Sequence, residues 1–184
     1  MGFPQNWLTK FVKSYAARSK PPNSPYLALD SVSPWTPIPT PTEIFTAMGL
    51  TPDPWQAKFL RASSNRQMVL ACRRAGKSTG GAVKTLHHCL TTPNATAMVF
   101  SPTKRQSQEF ARQVRAADRA IGVPLRRVAE NQTEVEWSNG SRLLSMPDRQ
   151  VGVVGFTPTL IVIDEAMGDF RLEVVAIGFF GKSR

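Results

Sequence analysis

Cysteine is nearly missing from this chain: Cys72 and Cys89 are the only two in 184 residues. That is too few for a disulfide framework, and it suits a reducing compartment such as a cytoplasm. Long apolar runs are missing too. Nothing approaches the roughly 18 consecutive apolar residues that cross a bilayer, and the N-terminus has no secretory apolar core, so a soluble chain with no membrane partner is expected. The opening Met1-Gly2-Phe3-Pro4-Gln5-Asn6 places Asn6 where a myristoylation signal has Ser or Thr. Acidic residues are scarce as well: 13 Asp and Glu stand against 23 Lys and Arg, a net charge of +10. A polyanion such as nucleic acid suits that balance; the other reading is an ordinary basic surface. The length allows one core plus tails, and no internal repeat is visible.

What is present divides the chain into three parts. In residues 1–20, Trp7, Leu8, Phe11, Val12 and Tyr15 recur at helical spacing among Lys10, Lys13 and Arg18. An amphipathic helix follows, either docking on a partner or packed on its own domain. Residues 21–41 hold Pro21, Pro22, Pro25, Pro34, Pro37, Pro39 and Pro41, which predict an extended linker. From Thr42 the pattern turns globular. A short helix over Glu43–Met48 ends at Gly49, and Asp53-Pro54 caps a second helix from Trp55 to about Ala62. Gln67–Cys72 reads as an apolar strand, Lys77 to about Leu90 as a helix, Ala97–Phe100 as a strand, and Thr103 to about Ala120 as a helix. That alternation predicts a parallel sheet flanked by helices. Thr133–Trp137 and Arg142–Ser145 flank Asn139-Gly140, the signal of a hairpin at the sheet edge. Leu160–Ile163 is a continuous apolar run, expected to be a central strand buried on both faces.

The chemistry concentrates at two places. Ala71-Cys72-Arg73-Arg74-Ala75-Gly76-Lys77-Ser78-Thr79 joins a strand to a helix, and Leu160-Ile161-Val162-Ile163-Asp164-Glu165 ends a strand in two carboxylates. Backbone N–H groups from Arg73 to Thr79 at a helix start would cradle phosphates, with Lys77 on the β and γ oxygens and Ser78 on Mg2+. Asp164 would hold the metal's water shell, and Glu165 would orient or deprotonate the attacking water. The alternative reading of Asp164-Glu165 is a strand-ending helix cap. The usual phosphate-loop pattern opens on a glycine where this chain has Ala71. Of the two loop arginines, Arg73 is expected to face phosphate and Arg74 a neighbouring carboxylate. Gln56 is either a reader of an adenine edge or an exposed helix glutamine. On the helix from Thr103, Arg105, Arg112, Arg115 and Arg119 share the side opposite Phe110, Val114, Ala117 and Ile121. They either track a phosphate backbone or form a solvated face. His87, His88 and Cys89 are adjacent rather than on one face, a poor metal site.

Over residues 43–166 these segments resemble the ATPase domain of the large terminase subunit of tailed bacteriophages. Trp55-Gln56 looks like that family's adenine-binding glutamine segment. Cys72–Thr79 resembles its deviant Walker A, which also lacks the first glycine and carries an arginine four residues before the lysine, here Arg73. Ser101-Pro102-Thr103-Lys104-Arg105-Gln106 is similar to the segment after the second strand, and Asn139-Gly140-Ser141-Arg142 to the hairpin before Walker B. The resemblance implies an ASCE-type P-loop NTPase fold with ATP and Mg2+ as cofactors. It also implies double-stranded DNA, a portal protein and a small terminase subunit as partners, a homo-oligomeric ring, and action in the bacterial cytoplasm. Two departures stand out. Val154 precedes Gly155 where the family commonly has arginine, and nineteen residues follow Glu165 where the family continues with a coupling motif, further strands and a nuclease domain. Residues 42–184 are therefore expected to form a partial ATPase domain whose apolar run Leu172–Phe180 cannot supply the missing strands. A helicase-like translocase fragment and an inert remnant that binds nucleotide or DNA without hydrolysis are the alternatives.

Overall fold

The structure, a computed structural model, describes residues 38–122, 125–147, 157–165 and 172–179. The expected N-terminal helix, nearly all of the proline-rich linker, and Val154-Gly155 lie outside them.

Two short helices come first. Helix α1 (Pro41–Ala47) starts two residues earlier than the sequence predicts, because Thr40 and Glu43 cap each other. Glu43 N donates to Thr40 Oγ1 at 3.3 Å, and Thr40 N donates to Glu43 Oε2 at 2.7 Å. Helix α2 (Pro54–Arg61) uses the same device with Asp53 and Gln56. Its C-terminal end is closed by a buried lysine that the sequence does not announce. Lys84 Nζ donates to Phe59 O at 2.9 Å, Ala62 O at 2.7 Å and Gln67 Oε1 at 2.8 Å. Burial lowers its pKa to about 8.

Helices α3 (Lys77–Thr91) and α4 (Lys104–Ala120) alternate with strands β1 (Arg66–Cys72), β2 (Thr96–Ser101), β3 (Arg127–Glu130), β4 (Glu134–Trp137), β5 (Arg142–Pro147), β6 (Leu160–Asp164) and β7 (Leu172–Phe179). The strands form one sheet in the order β1-β7-β6-β2-β5-β4-β3. The sheet is mixed, not parallel throughout. β2 runs parallel to β5 and β6, whereas β7 is antiparallel to both β6 and β1. The run Leu172–Phe179 forms one interior strand, with Val175 registered against Val69 on one side and Asp164 on the other. Its sequence, Leu-Glu-Val-Val-Ala-Ile-Gly-Phe, has the β-branched and apolar content of a strand inside a sheet.

Direction follows from this order. Two antiparallel steps leave β1 parallel to β6, and β6 is parallel to β2. Cys72, Asp164 and Ser101 therefore all lie at the same end of the sheet. The hairpin forms the opposite edge as expected, extended by β3, a short and mostly exposed strand with no alternation to reveal it. Its turn is docked rather than free. Asn139 Nδ2 donates to Cys89 O at 2.8 Å near the end of α3, and Gly140 (φ 78°) leaves no room for a side chain, since a Cβ would lie 2.3 Å from Asn94 Oδ1.

Helices α3 and α4 supply Val83, Leu86, Phe110, Val114 and Ala117 to a core that takes Ala97, Val99, Leu143, Leu160, Val162 and Ile177 from the sheet. The other face is open at one end: Met68 is 76 % exposed, Leu70 58 % and Ile163 42 %. Strand β6 is consequently buried on one face only, contrary to expectation, because successive side chains point to opposite faces.

Where α4 meets the hairpin, Asp118 is fully buried. Arg127 Nε lies 3.1 Å from its Oδ2, at ion-pair distance but without hydrogen-bond alignment. Burial raises the Asp118 pKa to about 6 despite Arg127 and the Trp137 indole beside it. Because this lies above the unfolded value near 3.9, the folded state prefers the protonated form. Its contribution to stability is complete below about pH 4 and is lost as pH rises through 6. An Asp118→Asn chain is expected to lack this loss, so its unfolding free energy relative to wild type rises between pH 4 and 7, by at most about 3 kcal/mol. Urea titrations at both pH values measure it; parallel pH curves for the two chains would contradict the buried-carboxyl assignment.

Candidate functional site

The common end of β1, β6 and β2 gathers the residues singled out above. After Cys72 the chain turns through Arg73–Gly76 and enters α3 at Lys77. The turn needs two left-handed residues, Arg74 at φ 63° and Gly76 at φ 79°. Gly76 is required twice over, since a Cβ there would meet Gln56 Nε2 at 2.7 Å. The result is a tight turn at the N-terminus of a fifteen-residue helix, where backbone N–H groups and the helix dipole favour anions.

Lys77 is 3 % exposed and folds back over this turn, donating from Nζ to Ala71 O at 3.1 Å and Cys72 O at 2.7 Å. Ser78 Oγ donates to Asp164 Oδ1 at 2.9 Å, which joins the start of α3 to the end of β6 across 86 positions of sequence. Thr79, the next residue, is half-buried. Asp164 is 6 % exposed, and Glu165 beside it takes φ 57° at the strand end. Gln106 Nε2 donates to Glu165 Oε2.

Gln56 is buried, and both ends of its amide are engaged: Asp53 N donates to Oε1 at 2.8 Å, and Nε2 donates to Ala75 O at 2.8 Å. It holds the turn through one hydrogen bond at each end of the amide. Arg73 and Arg74 are exposed. Among the described residues Arg74 has no ion pair, and Asp164 and Glu165 at the end of β6 are engaged by Ser78 and Gln106.

The arginine stripe of α4 does not survive as one surface. Arg115 donates from Nη1 to Asn131 O at 2.8 Å, and its Nε is 3.4 Å from Glu130 Oε1, so it clamps the β3–β4 hairpin to the helix. The 100° spacing that aligned it with Arg112 cannot show that a hairpin lies against that part of the helix. Arg112 pairs with Glu109 at 2.5 Å on the surface, while Arg105 and Arg119 are exposed. Arg105, Gln106, Glu109 and Arg112 line a groove of about 460 Å3 that begins next to Glu165.

His88 has a ring nitrogen 2.9 Å from Thr159 Oγ1, and Cys89 is fully buried with its thiol pKa raised by that burial. Among the described residues no group of three or more His, Cys, Asp or Glu could hold a metal ion. A hydroxyl and a carboxylate meeting at Ser78 and Asp164 instead match what Mg2+ takes from proteins: one or two oxygen ligands, the rest from phosphate and water.

Residues 68–175, more than half of the chain, match the family model described as terminase large subunit, T4likevirus-type, N-terminal. The chain belongs to that family. No curated protein matches it. Within this terminase chain the match runs from β1 into β7, so the whole strand-end cluster from Arg73 to Glu165 is inside it, while α1, α2 and Gln56 precede it. Among the described residues of the terminase chain, no helix is long and apolar enough to cross a membrane. The residue that sequence reasoning missed is Gln106. Thr103-x-x-Gln106 has the spacing of a capping box, which signals a helix start but says nothing of a partner 59 residues away.

Proposed function

We propose that the strand-end cluster binds ATP with Mg2+ and hydrolyses it, as the ATPase part of a terminase that moves double-stranded DNA into a procapsid. The observation that carries this reading is the Ser78–Asp164 contact, which places a magnesium-type hydroxyl and a carboxylate together beside an anion-binding turn. In this reading the N–H groups from Ala75 to Thr79 hold the phosphate oxygens. Lys77 swings from the carbonyls of Ala71 and Cys72 onto the β and γ oxygens, and Arg73, exposed on the same turn, reaches the γ-phosphate. Ser78 and Asp164 hold Mg2+, which neutralises phosphate charge when bound. Glu165 is the catalytic residue that orients or deprotonates water. Gln56 holds the turn from α2.

Double-stranded DNA is the polyanion that the +10 charge suits; a portal protein, a small terminase subunit and a ring of copies are the further partners of this reading. The family match favours a terminase over a helicase-like translocase. Glu165→Gln separates hydrolysis from binding. The variant is expected to keep Mg-ATP affinity within about twofold and to lose at least roughly a hundredfold in turnover with DNA present. Should the wild type bind Mg-ATP yet release no phosphate with DNA, the binding-only remnant is the correct reading.

A further inference from the structure

We propose that Gln106 is a positioning residue for Glu165: it aims the carboxylate from the first turn of α4 and thereby sets the rate of hydrolysis. The inference rests on the ATPase reading above. Three observations carry it. Gln106 is itself held, since Thr103 Oγ1 donates to its Oε1 at 2.7 Å and its own N donates to Thr103 Oγ1 at 3.2 Å. With the oxygen end of the amide occupied by a donor, the NH2 end is the one that faces β6, and Nε2 donates to Glu165 Oε2. Glu165 itself sits at a strand terminus in the left-handed region at φ 57°, a conformation uncommon for a non-glycine residue that the surrounding structure must hold in place. A carboxylate that must meet one water gains from an amide that removes its rotational freedom before the reaction starts.

The placement adds a second role. Gln106 lines the groove that also holds Arg105 and Arg112, so the group that aims Glu165 is part of a surface carrying cationic side chains. A phosphate backbone lying there would touch the residue that positions the carboxylate.

A purely structural role for Gln106 makes an opposite forecast to the positioning role, and one pair of variants separates them. As the third residue of α4, Gln106 belongs to the cap of the helix, where glutamate is at least as good as glutamine. If capping were its whole function, Gln106→Glu would behave as wild type and Gln106→Leu would be the damaged chain. Positioning reverses the order. Gln106→Leu leaves Glu165 unguided, and turnover falls roughly tenfold, within the range that a placed acid or base contributes. Gln106→Glu keeps the cap but turns an acceptor and a negative charge toward Glu165, and turnover falls further. In both variants the KM for ATP stays within about twofold of wild type, since neither residue is assigned to phosphate binding. The full chain is assayed with Mg-ATP and double-stranded DNA for phosphate release, with calorimetric nucleotide titration and melting temperature alongside. Wild-type turnover in Gln106→Glu overturns the proposal alone. A wild type that binds nucleotide but does not turn over overturns it together with the hydrolytic reading, and a wild type that fails to bind nucleotide overturns the phosphate-loop assignment itself.

Discussion

Replacing Lys77 with alanine is expected to weaken Mg-ATP binding about a hundredfold while leaving the chain folded. The size follows from what the ammonium does. It is nearly buried, and it donates to Ala71 O and Cys72 O at the start of the turn. With triphosphate in the turn, the same three donors would exchange two carbonyls for anionic oxygens. Hydrogen bonds to charged groups contribute about 1.5–3 kcal/mol each, so losing one or two of them costs roughly 3 kcal/mol, which is about a hundredfold. Without nucleotide the loss is smaller, since the two carbonyls end a strand beside an exposed turn where water replaces the ammonium. A titration calorimeter and a melting curve together test this. Unchanged affinity in Lys77→Ala would remove the phosphate-loop assignment, whereas a collapse in melting temperature would show that the lysine is a structural strut.

The second large effect lies away from the chemistry. A proline at Val175 is expected to remove β1 from the sheet and nucleotide binding with it. Among the described residues strand β1 has a single neighbour, β7, and its ladder runs from Arg66–Cys72 to Leu172–Gly178. Val175 is registered against both Val69 and Asp164, so proline there disturbs two ladders at once. Proline inside a sheet removes a ladder donor and fixes φ, and is found essentially only on edge strands or at bulges. The control is Val128→Pro, at the bulge of the edge strand β3 where Val128 has no register partner. That change is expected to shift the urea midpoint little and to leave nucleotide affinity alone. If Val175→Pro still binds Mg-ATP as wild type does, β7 is not what places the turn.

Much of this molecule can be read from local chemistry. Gly76 before Lys77, Thr103 three residues before Gln106, Asn139-Gly140 between alternating runs and Asp53-Pro54 before Trp55 each act within one turn of chain, so short windows disclose them. The element order and the pairing of a phosphate-type turn with Asp164-Glu165 were legible for that reason. What escaped depends on where distant pieces lie. The run Leu172–Phe179 has the composition of an interior strand, but its composition does not say between which neighbours it enters or in which direction. Arg115 has the same helical phase as Arg112, and only the hairpin packed against α4 makes one a clamp and the other a surface ion pair. Lys84 reads as an ordinary helix lysine until the end of α2 is seen to present two carbonyls to it and Gln67 of β1 an amide oxygen. Gln56 shows the same limit in reverse: its neighbourhood in sequence suggests a base reader, and its neighbours in space make it a support for Ala75.

Strand β7 also acts as a gauge. Neighbouring strands in a sheet lie about 4.8 Å apart, so one strand interposed between β1 and β6 sets their axes roughly 10 Å from each other. That width is spanned by the turn after β1 and the side chains of Ser78 and Asp164, whose oxygens meet at 2.9 Å. The width of the reaction centre is therefore written in the backbone of a segment that contributes none of its proposed reactive groups.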